Sequence, residues 1–235
     1  MDTHLHHDHI ENHLKSSETI TDIVIGMADG LTVPFALAAG LSGAVKDVHL
    51  IVIAGIAEIA AGSIAMGLGG YLAGKTAQEH YASELKREYD EIEHLPEVER
   101  EEVRVFFEGL GLSPSVQEQA VEELIKDKDR WADFMMKHEL ALEKPDPKRA
   151  RKSAFNIGAS YIVGGMIPLS PYFFVDEGLT GLKFSAIVTL ICLFVFGYFK
   201  SKLTGTPPLQ GGLKVMIIGA VAAGCAFAIA KVISG

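Results

Sequence analysis

Apolar residues gather along the chain in five runs, 20–41, 48–73, 154–175, 182–199 and 213–232. Each is about long enough to cross a ~30 Å hydrocarbon layer as a helix. Charge enters the depth of these runs only at Asp29 and Glu58, and the third run carries Pro168 and Pro171. The pattern predicts an all-α, polytopic membrane protein with five transmembrane helices. Four segments follow from it: a His-rich tail over 1–19, spans one and two over 20–74, a helical insert over 75–148, and spans three to five over 149–235.

The insert reads differently from its flanks. Residues 75–93 hold no helix breaker and are rich in Ala, Glu, Lys and Leu, so span two is expected to continue as one long helix. A stop and restart falls at 94–96, with Pro96 suited to a first helical turn. Val98, Val103, Phe106, Phe107 and Leu110 then form an apolar stripe that Gly109 and Gly111 end. Ser113 before Pro114 predicts an N-cap. A last helix is expected over 129–143, stopping at the "KPDP" that follows.

Charge sharpens the division. The chain has 235 residues, 49% of them hydrophobic, and a formal charge of −9. Residues 75–148 hold 20 of the 30 Asp and Glu but 11 of the 21 Lys and Arg, so the insert carries the whole −9 and the remainder is neutral. With no broad basic face, a nucleic-acid partner is excluded; an acidic insert suits cations. Basic residues cluster in "PKRARK" (147–152) and at Lys200, Lys202 and Lys214. The opposite connections hold Lys46 with Asp47, and Asp176 and Glu177 with Lys183. The positive-inside rule therefore puts the N-terminus, the insert and the four–five connection in the cytosol, with the C-terminus opposite. Cys192 and Cys225 both fall in spans and read as small packing residues. The opening "MDTHLHHDHIENH" lacks the basic patch and apolar core of a signal peptide. Its His4, His6, His7, His9 and His13 could bind a divalent metal, but the stretch reads better as a disordered or engineered tail.

Two spans hold candidate chemistry. A carboxylate in mid-bilayer costs about 2.5–3.5 kcal/mol even on the lenient insertion scale, which makes Asp29 a functional candidate. Pro34 lacks an N–H and leaves the Gly30 carbonyl without its helical donor, so Asp29 and that carbonyl could make an oxygen-rich spot; pairing with a neighbouring helix is the alternative. In the second span Glu58, Gly62 and Met66 follow one another at i, i+4 and i+8 on one helix face. Carboxylate with thioether favours softer transition metals over Mg²⁺ or Ca²⁺, although a methionine also serves as plain packing.

In the insert, Glu88 with Glu91 and Glu99 with Glu102 form two E-x-x-E pairs. Residues three apart share a helix face, so each pair can offer two carboxylates to one ion. Met135, Met136 and Glu139 could close the cluster, while a merely solvated acidic face is the competing reading.

On these residues the sequence resembles the vacuolar iron transporters of the plant type, which carry a cytosolic metal-binding domain. "DGLTVPFALAAGLSGA" and "AEIAAGSIAMGLGGYLA" resemble that family's first two spans, and "WADFMMKHELALEKPDPKRA" its re-entry into the membrane. The likeness covers nearly the whole chain from about residue 20. It implies a homodimer of five-span subunits in the vacuolar membrane, with an ion path along the subunit interface. It also implies exchange of cytosolic Fe²⁺ for lumenal protons. Asp29, Glu58 and Met66 resemble transport-path residues; Glu88, Glu91, Glu99, Glu102, Met135 and Glu139 resemble the cytosolic metal ligands. The expectation is a transporter, not an enzyme, with Fe²⁺ as substrate, Mn²⁺ or another divalent transition metal as further cargo, and no organic cofactor. Its partners would be metal ions, protons, lipids and a second copy of itself.

A membrane-anchored di-iron carboxylate oxidase is the alternative. Glu91 and His94 make one Glu-x-x-His, but such sites need two on separate helices. A metal-sensing adaptor would leave Asp29 and Glu58 without a task.

Overall fold

A computed structural model describes residues 18–234, so the histidine-rich opening lies outside the described residues. The described chain is helical throughout, with no strand. Its helices are α1 (Glu18–Ala44), α2 (Val48–His94), α3 (Pro96–Gly109), α4 (Pro114–Leu124), α5 (Lys128–His138), α6 (Arg149–Leu169), α7 (Gly178–Leu203) and α8 (Pro208–Ser234). A 3₁₀ turn, Ser170–Phe174, follows α6. Five segments are long and apolar enough to span a membrane: α1, α2, α6 with its 3₁₀ turn, α7 and α8. Tyr71–Arg151 forms one compact unit, and the residues through Gly70 and from Lys152 form another.

In the membrane unit the helices outrun the apolar runs by a few residues at most ends. Ile53, Ile64 and Phe155 are exposed, as lipid-facing residues are. Leu31, Phe35, Ile51, Leu169, Tyr172 and Leu193 are almost wholly buried. Small residues set the spacing. A Cβ on Gly26 would lie 2.2 Å from the Ile157 carbonyl oxygen, and one on Gly30 would lie 2.4 Å from that of Tyr161. The backbones of α1 and α6 therefore touch, in the way small residues allow between membrane helices.

The prolines of the third run end its α-helix. Pro171 cannot donate to the Ile167 carbonyl, and Ser170 Oγ donates to that oxygen instead at 2.8 Å. The Pro168 carbonyl accepts from Ser185 Oγ at 2.7 Å. These hydroxyls satisfy backbone groups that lipid could not.

In the second unit, the restart at residues 94–96 occurs as the sequence indicates, with Leu95 as the link. Val103, Val121, Trp131, Ala132 and Met135 join Ile92 in one buried apolar cluster. Two expectations need correction. Ser113 stands at the N-cap of α4 but makes no capping bond; Gln117 Nε2 secures the turn by donating to the Leu112 carbonyl at 2.7 Å. The last helix is shorter than expected and ends at His138. It starts on Asp127, which accepts from the Asp129 and Arg130 amides. It ends because the chain reverses: Leu140 N and Leu142 N donate to the Met135 and Met136 carbonyls, with Ala141 at φ 52°.

Candidate metal sites

In the second unit the short link at Leu95 folds α3 back beside α2. Glu88, two turns before the link, and Glu99, one turn after it, are thereby brought together. Glu139, placed by the chain reversal after α5, is the third member. One carboxylate oxygen from each of Glu88, Glu99 and Glu139 lies within 4.8 Å of the others. Glu88 is 2% and Glu99 4% exposed, and each keeps a buried Oε2 with no hydrogen-bond partner. Burial first, and then the neighbouring carboxylates, push both acids up to about 7. Glu139 is also raised, by burial and then by the neighbouring Glu102 carboxylate. Three clustered oxygens without balancing donors suit a hard-to-borderline divalent ion.

The other expected residues of this group divide. Glu102 is half-buried and adds its charge to Glu88, Glu99 and Glu139. Glu91 does the same to Glu88 and Glu99, but its Oε1 accepts from Arg87 Nε at 3.1 Å, which ties one of its oxygens down. Met135 packs within the apolar cluster and is 1% exposed; its backbone carbonyl, not its sulfur, engages Glu139, accepting from the Glu139 amide at 2.9 Å. His94 directs Nδ1 at the Asp90 carbonyl, 2.8 Å away, so it serves the end of α2.

In the membrane unit, Asp29, Glu58 and Met66 are all half-buried. Tyr161 of α6 donates its hydroxyl to Glu58 Oε1 at 2.5 Å, while Glu58 Oε2 is buried without a partner. Gly62 makes the room for this: a Cβ there would sit 2.4 Å from the Tyr161 hydroxyl. Asp29 lies near enough to act electrostatically on the same phenol. Glu58 also borders a cleft of about 520 Å³ between α1 and α8, whose lining includes Thr32, Val33, Leu37 and Ala226. Glu58 is the one acidic residue of that lining. Among the described residues neither Asp29 nor Met66 lines the cleft.

Two residues of this region escaped the sequence reading. Tyr161 lies in a run of small and apolar residues where a tyrosine passes for packing. Asp22, near the start of the first apolar run, is 2% exposed and accepts from Ser153 Oγ at 3.0 Å and Asn156 Nδ2 at 3.5 Å. Its spacing of seven from Asp29, on the same face of α1, was the available signal.

Comparison with known proteins adds to this geometry. A family model described as the VIT family matches residues 20–231. Vacuolar iron transporter 1 of Tulipa gesneriana is 50% identical over 96% of this chain and 92% of its own length. Vacuolar iron transporter 1 of Arabidopsis thaliana is 49% identical over 96% and 90%. Protein CCC1 of Saccharomyces cerevisiae is 38% identical over 91% of this chain and 69% of its own length.

Proposed function

The chain belongs to the VIT family, and from that premise we propose that it carries Fe²⁺ from the cytosol into the vacuole in exchange for lumenal protons. Iron transport into the vacuole is what its relatives' names and its five apolar spans support. They are transporters, not enzymes. The oxidase reading has nothing in its favour, because the relatives are named as transporters and the sequence holds one Glu-x-x-His where such a site needs two.

The observation that carries the proposal is Glu58. A carboxylate with one buried oxygen that lacks a donor, on a residue bordering an apolar cleft, is costly unless a proton or a cation occupies that oxygen. Alternation between those two partners is the chemistry of exchange. Asp29, beside the same phenol, would share the task, and Met66 would weight the path toward transition metals over hard ions. In the insert, proposed to be cytosolic together with the N-terminus, Glu88, Glu99 and Glu139 would collect the ion, with Glu102 and Glu91 adding negative potential. Binding there releases protons, since ligands must be ionised. Other divalent transition metals such as Mn²⁺ fit the same oxygen donors. A second copy of the chain would complete the path on the α1 side.

The test is uptake by the purified chain in sealed vesicles. With the insert outside and an acidic interior, Fe²⁺ should accumulate, and the interior should lose protons as it does. Fe²⁺ uptake that persists unchanged after the pH gradient is collapsed would rule out the exchange.

A further inference from the structure

The turn between α7 and α8 holds a basic cleft that neither the carboxylate sites nor the transport reading uses. Its volume is about 460 Å³, and Lys200, Thr204, Thr206, Gln210 and Lys214 line its polar end. No Asp or Glu follows Glu177 in the sequence, and none borders the cleft. Lys200 stands in the last turn of α7, where a cation also suits the helix dipole. Lys214 gains nothing of that kind, since it lies in the N-terminal part of α8. Two lysines thus line one concavity without a protein counter-charge on its wall.

The cleft is built, not incidental. Gly211 presses so closely on Ser201 that a Cβ would overlap the hydroxyl, which pins the two helices at the cleft floor. The turn is closed by the Thr206 amide donating to the Ser201 carbonyl at 2.9 Å, with Gly205 at φ +69°. Thr204 and Thr206 give their hydroxyl protons to the Lys200 and Ser201 carbonyls. The donors left for an anion are the two lysines and the Gln210 amide. Beyond them the wall turns apolar at Val215 and Ile218, and Ile218 is 55% exposed.

We propose that this cleft binds the phosphate headgroup of an anionic glycerophospholipid, with an acyl chain against Val215 and Ile218. The turn joins two membrane-spanning helices, so it sits where headgroups are, and basic pockets between spans at that level are suited to phosphate. A free phosphate ion would satisfy the lysines equally but would leave the apolar end unused.

The full chain, purified in detergent, is offered phosphatidic acid or phosphatidylcholine, and retained lipid is counted by native mass spectrometry. Phosphatidic acid should be retained in preference. Lys200→Gln with Lys214→Gln should lower that retention by about fivefold per lysine. Lys202→Gln removes one like charge two residues along but outside the cleft wall, and should lower retention far less than Lys200→Gln alone. An equal loss with Lys202→Gln would reduce the effect to bulk charge and overturn the site. So would undiminished retention in the double variant. Inorganic phosphate is the second arm: if it displaces the lipid at comparable concentration, the acyl contact is wrong and the site is one for soluble phosphate. Should the double variant fold poorly, as judged by size exclusion and helicity, competition by a short-chain phosphatidic acid on the wild-type chain decides between the same outcomes.

Discussion

The two units treat their carboxylates in opposite ways. In the membrane unit the acids are dispersed. Asp22 is held by Ser153 and Asn156, and Glu58 by Tyr161. In the Tyr71–Arg151 unit, three acids crowd within 4.8 Å and repel one another. A dispersed acid with a single hydroxyl donor can hold one small charge and release it. A crowded set has a standing deficit of positive charge and accepts a divalent ion strongly. Under the proposed function the contrast is between passing an ion on and collecting it, and it yields experiments that should affect one unit and spare the other.

The largest effect is expected at Glu58. Glu58→Gln keeps the bond from Tyr161 but removes the charge, so gradient-driven Fe²⁺ uptake should fall to the level of empty vesicles. Metal binding to the same purified protein by calorimetry should persist. Loss of both would mean that the two units do not divide the work.

Next comes the converse change. Glu88→Gln with Glu99→Gln should weaken divalent-ion binding in calorimetry by about 100-fold, or ~2.7 kcal/mol. Uptake at saturating Fe²⁺ should survive. If affinity is unaltered, the ion is bound elsewhere.

A smaller change tests how a lone acid is held. A hydrogen bond to a charged group contributes about 1.5–3 kcal/mol, so Tyr161→Phe should raise the KM for Fe²⁺ by roughly tenfold or more. The maximal rate should be far less affected. A fall in maximal rate at constant KM would instead make Tyr161 a packing residue.

The smallest effect is one of pH on stability. Glu88 and Glu99 rise from 4.5 to about 7 in the folded chain. Between those values the folded chain keeps protons that the unfolded chain has lost. Their stabilising contribution is therefore complete below pH 4.5 and is lost as pH rises through 7. Trp131 is the sole tryptophan and is buried in this unit, so its fluorescence melts report on the unit alone. Without metal, the melting temperature should fall by a few degrees between pH 5 and 8, and Mn²⁺ at pH 8 should reverse the fall. A flat profile would show that the acids are not strained by their crowding.

Much of this was readable in the sequence because it depends on local pattern. Five apolar runs give five long helices, and Pro96 fixes where α3 begins. Glu88 and Glu99 could be named because paired glutamates on either side of a short helix break can face each other. What escaped depends on tertiary contact. Nothing local marks Tyr161 as the donor to Glu58, 103 residues away. Asp22 stands at a helix entrance, where a polar residue draws no notice, and only Ser153, 131 residues on, shows it to be buried and bonded. The early end of α5 was hidden for another reason. Residues 139–143 have good helix formers, and their reversal is set by carbonyls of the preceding turn rather than by a glycine or proline.

The bare contact of Gly26 and Gly30 with the α6 backbone bears on how the path can open. Two helices whose main chains touch have no side-chain layer between them to shear or re-pack. Rolling one helix against the other is resisted, because it presses the glycine backbone toward the carbonyl oxygens it already faces. Mechanically, α1 and α6 are one beam. Asp29 on α1 and Tyr161 on α6 ride on that beam together, whereas Glu58 and the cleft wall of α8 belong to other parts. The α2 backbone also comes close to α6, at Gly67 and Gly158, so the bond from Tyr161 to Glu58 joins two helices that are themselves held main chain to main chain.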